Sequence, residues 1–518
     1  MSDSTDSFRS LMDDLPPIWR AIESGRPCRY TTVVVPSLSF DPAELTKIQG
    51  ISFYEERLLF SLIRLRDPRA TVIYLTSQPI HPEIVDYYLD LLRGVSARDA
   101  RSRLHLLSLN DPSPIPLTRK ILDRPRVVAR LRAELRDAEH AYLSCFNATP
   151  LERDLALALG IPLNGLDPEL LPLGSKSGSR EIFRQAGIDL PHGYENLRHR
   201  RDLVAALAQL AEERPQAARA VVKLNDSFAG AGNALFTFPE GDGRSDPDRI
   251  DARLDALEWT TPDETLDNYL AQMTAMGGIV EEFVEANEVR SPSVQLRITP
   301  DGEIVLISTH DQILGGATQQ TYLGCRFPAD SAYRRSIQER GLAVAEVLRE
   351  RGVTSRFGVD FLVVRDAGEP WRALAIEINL RMGGTTAPYL ALQFLTKGRL
   401  DPASGRFVSG RGVEKYYWAT DNLTSPAYRG LLPEDFMEIM AAHHLYFDGT
   451  TETGAIFHMI GALSQFGKVG VTSIGDSREE AEQIYGRVVE ALDREGRRTD
   501  VDPARIAHPF ETAVHYLE

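Results

Sequence analysis

Residues 31 to 159 alternate short β-branched runs with segments spaced like helices, and this rhythm constrains the fold more than any other feature of the chain. Thr31 to Val35 (TTVVV) and Ala70 to Leu75 (ATVIYL) are short and β-branched, so they read as strands. Between them, Tyr54 to Arg66 carries Leu58, Leu59, Leu62, Ile63 and Leu65 at near-helical spacing. A helix at Pro82 to Leu92, a strand at Leu104 to Leu107, a helix near Val127 to Ala138, a strand at Ala141 to Ser144 and a helix at Pro150 to Leu159 continue the pattern. Alternation of this kind predicts parallel βαβ units, so residues 29–165 are expected to form a small open α/β sheet. Residues 1–28 are acidic and polar, carry no secretory-signal pattern and are expected to be loosely ordered.

Composition excludes several classes of function. No apolar run approaches the roughly 20 residues that span a bilayer, so no membrane partner is expected. Lys and Arg total 58 against 74 Asp and Glu, a net charge of −16 that disfavours a nucleic-acid partner. The three cysteines, Cys28, Cys145 and Cys325, are widely spaced without a CxxC pair. They form neither a disulfide framework nor a thiolate metal site, which points to a reducing cytoplasm.

Beyond residue 165 the strand-like runs become more antiparallel in character. They are Ala220 to Leu224, Gly278 to Val284, Ser293 to Ile298, Ile304 to Thr309, Gly358 to Val364 and Arg372 to Ile378. The third and fourth are joined by TPDGE, a hairpin signal through Asp-Gly. Residues 166–395 therefore read as an α+β unit. A polar, glycine-rich stretch (KGRLDPASGRFVSGRG) opens a C-terminal domain, 396–518, with a helix at Pro433 to His444, a strand near Ala455 to Leu463 and a helix at Glu479 to Arg494.

The strongest local feature is IEINLRMGG, Ile376 to Gly384. Side chains alternate along a strand, so Glu377, Asn379 and Arg381 project from one face while Ile378 and Leu380 take the other. Hard oxygen ligands of this kind suit Mg²⁺, with Mn²⁺ able to replace it, and water and nucleotide phosphates complete the shell. Asp360, in FGVDFLV, supplies another carboxylate if the two strands pair. Lys223 ends an apolar strand and runs into a loop with Gly230 and Gly232, where a point charge and exposed backbone N–H groups can meet phosphates. The extended segment Glu281, Glu282, Phe283, Val284 can read an adenine edge, with Glu281 on the exocyclic amine and Glu288 on a ribose hydroxyl.

Lys176, Lys223 with its glycine loop, EEFV, Asp360 and EINLR follow one another in the order and approximate spacing of the ATP-grasp superfamily, which the chain resembles. More closely it resembles the pheganomycin-type peptide ligases, through PSLSFDPAEL, YEERLLF, TSQPIHPEIVDYYLDLL, FNATPLERDLALALGIPL, LGSKSGSREIF, EINLRMGGTT and IGALSQFGKVGVTSIGDS. The resemblance runs from about residue 36 to about residue 495. It implies an ATP-grasp fold preceded by a Rossmann-like pre-ATP-grasp domain, with a C-terminal α+β cap. By the same resemblance Lys176 and Lys223 hold the α- and β-phosphates, and Ser227 to Asn233 closes over the triphosphate. Glu281 and Val284 form the adenine hinge and Glu288 is the ribose acid. Asp360, Glu377 and Asn379 are the Mg²⁺ ligands, and Arg381 steadies the acyl phosphate. The chain departs at Ala387, where this subfamily is expected to carry a histidine after the double threonine.

The activity so implied is ATP-dependent joining of a small-molecule carboxylate to an amine, of an amino acid or peptide, in peptide or secondary-metabolite biosynthesis. Attack of a carboxylate on the γ-phosphate brings two anions together, so Mg²⁺ and lysines must neutralise charge in a water-poor site. Arg381 and the backbone donors of Gly383 and Gly384 are positioned to stabilise the later oxyanion. Arg297 and Gln312, in or just after the central hairpin, are candidates for the γ-phosphate or the carboxylate substrate. His443, His444 and His458 lack a second metal ligand at useful spacing and read as packed or solvated. A ligase for a non-peptide acid or amine, and a nucleotide-binding regulatory protein without turnover, are the competing readings. A homodimer is the default assembly, from the general frequency of two-fold oligomers.

Overall fold

Three of the first four strands are buried on both faces, which suits a parallel sheet covered by helices, and the remaining one is a half-buried edge. In the computed structural model, β1 (Tyr30–Val35), β2 (Ala70–Thr76), β3 (Leu104–Ser108) and β4 (His140–Cys145) lie in the order β3-β2-β1-β4, and every pairing is parallel. Helices Pro82–Asp90, Pro125–Leu135 and Pro150–Leu159 each begin on a proline, whose missing N–H costs nothing in the first turn. Thr149 and Glu152 close a capping box at the last of these. The leucine-rich segment expected to be helical winds as a 3₁₀ helix, Ile51–Arg66. The structure describes residues 2–497 except 26–27, 41, 47, 227–231, 242, 261–263 and 316–320.

Residues 1–28 differ from expectation. Helices Ser2–Met12 and Leu15–Glu23 form there because Phe8, Leu15 and Ile18 bury against the first sheet. The acidic composition conceals this apolar stripe.

Two antiparallel sheets follow. The smaller is built from β5 (Gly193–Leu197), β6 (Arg219–Leu224), β7 (Asn233–Thr237), β8 (Glu258–Trp259) and β9 (Gly278–Glu282), in the order β5-β9-β6-β7-β8. Helices Arg200–Glu213 and Leu266–Met276 share its core. The larger sheet contains β10 (Glu288–Arg290), β11 (Pro292–Ile298), β12 (Ile304–Gly315), β13 (Thr321–Phe327), β14 (Arg356–Arg365) and β15 (Arg372–Asn379). The expected hairpin is present between β11 and β12, with Gly302 at φ +78° in its turn. Helix Ser331–Glu350 packs Val344, Ala345 and Leu348 against Val294, Leu296 and Ile298 of β11.

After a small two-stranded sheet of β16 (Arg399–Leu400) and β17 (Phe407–Val408), the C-terminal region rejoins the large sheet. There β18 (Tyr416–Thr424) pairs with β13, and β20 (Lys468–Gly475) pairs with both β18 and β19 (Gly454–His458). The C-terminal strands thus extend the sheet that carries β14 and β15. Their inner faces share one core with the N-terminal sheet, where Leu59, Tyr74 and Ile84 meet Phe436, Phe457 and Val471. Among the described residues no helix is long and apolar enough to cross a membrane.

Candidate functional site

Strands β11, β14 and β15 lie side by side and form the floor of a cleft. Asp360 of β14 stands between Ser293 of β11 and Glu377 of β15, and Gly358 stands between Gln295 and Asn379. The strand pairing anticipated for Asp360 and Glu377 is therefore present. Ile378 and Leu380 are buried on the opposite face, as alternation requires. Gly358 keeps the floor open, because a Cβ there would come 2.8 Å from Gln295 Nε2.

The floor's polar groups converge. Asn379 Nδ2 donates to Asp360 Oδ2 at 3.0 Å and to Glu377 Oε1 at 3.3 Å, while Gln312 Nε2 donates to Asp360 Oδ1 at 2.8 Å. Arg381, just beyond β15, donates from Nη2 to Asn379 Oδ1 at 2.9 Å. Lys176 Nζ lies 3.5 Å from Glu377 Oε2. Burial and then the Glu377 charge push the Asp360 carboxyl well above the usual range. Burial also works to raise Glu377, but Lys176, Lys223 and Arg381 outweigh it and hold that carboxyl down. Two half-buried carboxylates and an amide on adjacent rungs make a hard oxygen set that suits a divalent cation sharing its shell with phosphates. The residues present fit Mg²⁺.

The facing wall comes from the small sheet and from helix Lys176–Gln185. Lys176 sits in the first turn of that helix, whose N-cap Ser175 accepts from the Gly178 amide. Lys223 ends β6 beside Glu281 of β9, and the two side chains form a buried ion pair. Arg180 Nη1 reaches the other oxygen of Glu281 at 3.2 Å. At the end of β9 and just beyond it, Glu282, Phe283 and Val284 line the cleft with Lys176, Lys223 and Asn233. The cleft, about 910 Å³, also reaches Gln312, Gly383, Gly384 and Arg381.

Two expected residues lie elsewhere. Glu288 is not on the cleft wall, because its neighbour Val289 takes the inward position of β10 and Glu288 Oε1 accepts from Arg365 Nε at 2.9 Å. Arg297 shares a strand face with Ser293 and Gln295 but lies beyond the cleft's end, where its guanidinium packs over Trp19 at 4.1 Å. The carbonyl of Gly232 accepts from the Tyr269 hydroxyl at 2.9 Å and from the Leu224 amide at 3.0 Å, so this glycine serves the turn. Gly383's amide already donates to Thr386 Oγ1 at 3.0 Å. Ser227 and Gly230 lie outside the described residues.

Other cleft residues were not singled out from the sequence. Arg57, from the 3₁₀ helix, reaches the cleft beside Phe146 and forms a buried ion pair with Asp421 of β18. Asp421 Oδ1 is in turn 2.7 Å from His458 Nε2, so this histidine is packed, as expected, and orients the acid. The sequence signal for Arg57 was its place in the YEERLLF motif.

A protein family described as IQCH-like, ATP-grasp matches residues 170–238 and 261–403, and a PGM1 C-terminal domain matches 435–488. The L-propargylglycine–L-glutamate ligase of Streptantibioticus cattleyicolor is 32% identical over 476 residues, covering 89% of this chain and 94% of that protein. IQ motif-containing protein H of Danio rerio is 23% identical over 444 residues, covering 76% of this chain and 41% of that protein. Among solved structures, a biotin carboxylase–β,γ-ATP complex from Campylobacter jejuni superposes with a TM-score of 0.52 at 12% identity, covering 92% of this chain and 97% of the other. The ADP complex of an N5-carboxyaminoimidazole ribonucleotide synthetase gives 0.50 at 11% identity, covering 91% and 98%. At such identities these two likenesses concern the fold.

Proposed function

Because the chain belongs to the ATP-grasp ligases, we propose that its cleft binds ATP with Mg²⁺ and joins a carboxylic acid to the amine of an amino acid or peptide. The observation that carries this reading is one sheet face on which Asp360, Glu377, Asn379 and Arg381 stand in succession opposite Lys176 and Lys223. The relative's name, a ligase of two amino acids, supports an amide product and a place in peptide or secondary-metabolite assembly. Three buried free thiols support a cytoplasmic setting.

In the reaction so assigned, a carboxylate oxygen attacks the γ-phosphorus and ADP leaves; the amine then attacks the acyl carbon, phosphate leaves and the amine loses a proton. Asp360, Glu377 and Asn379 would hold Mg²⁺, which supplies neutralising charge to the phosphates. Lys176 and Lys223 add fixed positive charge along the facing wall. The extended Glu282–Val284 segment is assigned to the adenine, and Arg381 to the acyl group and its oxyanion.

The deciding experiment is Mg·ATP-dependent release of ADP and phosphate against pooled amino acids, short peptides and guanidino acids, with mass spectrometry of products. A mass equal to acid plus amine less water is expected. ATP binding with no ADP release on any pool would favour a silent nucleotide binder.

A further inference from the structure

A second, smaller cavity opens behind Arg381 and carries the opposite sign to the metal-binding floor. Arg381 and Phe146 line both spaces, so the two meet. Along the same sheet face, Arg356 lies four residues from Asp360, about 13 Å at the usual rise of a strand. Arg356 stands directly opposite Arg297 across the β11/β14 ladder. Arg64 of the 3₁₀ helix completes the lining together with Asn147 and Asn164.

Like charges facing each other across a ladder destabilise it unless something of opposite sign intervenes. Among the described residues, none of Arg64, Arg297 and Arg356 forms an ion pair with a carboxylate. Arg64 packs over Tyr142 at 5.5 Å, while Arg297 packs over Trp19 and donates to Asn164 Oδ1 at 3.3 Å. Glu23 is the acid felt by Arg297, from beyond ion-pair distance. Burial first, then the neighbouring arginines, pushes Arg356 down to about 9 and Arg297 down to about 10. Guanidiniums are the side chains best suited to grip a planar carboxylate through paired N–H groups. The cavity, about 50 Å³, admits a single group of that size.

We propose that this pocket receives a second carboxylate of the acid substrate: the acid is a dicarboxylate whose reacting end meets Arg381 and whose far end is held by Arg64, Arg297 and Arg356. The proposal rests on the ligase reading, since it assigns the reacting carboxylate to Arg381.

Calorimetric titration tests it, using glutarate and L-glutamate as probes and butyrate and 4-aminobutyrate as counterparts that lack one carboxylate. Each is titrated with and without a saturating non-hydrolysable Mg·ATP analogue. A dicarboxylate should bind wild type more tightly than its counterpart. In Arg356→Gln and, independently, Arg64→Gln, its Kd should rise roughly 10- to 100-fold, the loss of one charge-assisted contact, with the nucleotide analogue still bound as in wild type. Unchanged nucleotide binding also shows that each variant is folded.

The inference is overturned if neither dicarboxylate outbinds its counterpart, or if both variants bind it like wild type. Variants that alter only the binding of inorganic phosphate would overturn it too, assigning the pocket to the free anion. Failure of wild type to bind the nucleotide analogue, with dicarboxylate binding intact, would instead sink the ligase reading.

Discussion

Glu377 is held ionised by three cations while Asp360, one strand away, is pushed toward its neutral form. Glu377 is therefore the carboxylate already charged for a divalent cation. Glu377→Gln keeps the shape and removes the charge, and we expect kcat to fall roughly a hundredfold or more, the scale for deleting one charge-stabilising group. Nucleotide affinity should weaken only modestly, since the Glu282–Val284 segment is untouched; wild-type turnover in the variant would refute the metal assignment. Arg381 contacts Asn379 and looks into both cavities. Arg381→Ala should lower kcat far more than it weakens ATP binding, because its charge acts on the later, charge-developing steps. Equal losses in both would move Arg381 to the triphosphate.

The 3₁₀ helix Ile51–Arg66 gathers Glu55, Glu56, Arg57 and Arg64 into contacts that tie three parts of the molecule together. Glu56 accepts from the Gly461 amide at 3.1 Å, and burial pushes its carboxyl up to about 8 from 4.5. A raised folded-state value means that the neutral form suits the fold, so its stabilising effect is complete below about pH 4.5 and is lost as pH rises toward about 8. Glu56→Gln retains the acceptor without the charge. Its melting temperature should match wild type near pH 4 and exceed it at pH 8, with the remaining slope belonging to Glu55, pushed up to about 7. Parallel melting curves for the two proteins across this range would exclude the assignment. The periodicity of this segment was legible, but the burial of Glu56 and Arg57 was not, because their partners Gly461 and Asp421 lie hundreds of residues away. Strand alternation likewise placed Glu377, Asn379 and Arg381 on one face. It carries no information on how far along a face the cleft extends, and so Arg297 fell outside it. The extended link between Glu282 and Glu288 shifts the alternation and turned Glu288 away. Strands β13, β18 and β20 are not read from the sequence, and the β13–β18 pairing that joins the C-terminal strands to the large sheet links segments far apart in the chain.

At the scale of the whole chain, the C-terminal region supplies sheet and core to both preceding parts. Phe457 of β19 is fully buried, meets Phe436 edge-on at 4.8 Å, and has its backbone held from the N-terminal unit: Tyr88 Oη donates to its carbonyl at 3.1 Å, and its amide donates to Tyr87 Oη at 3.0 Å. A glycine-rich boundary near residue 396 suggested separable parts, whereas packing of this kind couples them, because neither side can expose the shared cluster without the other losing it. Phe457→Ala should cost about 3–5 kcal/mol, the range for emptying a buried phenylalanine site. If the core is shared, calorimetry will show one transition moved down as a unit, and signals from the N-terminal sheet will melt together with those from the C-terminal strands. A new low-temperature transition with the rest unmoved would mean that the C-terminal region folds by itself. Arg57 and Asp421 meet across this interface at the edge of the cleft, so the coupled outcome also predicts that ADP release declines along the same curve as the fold.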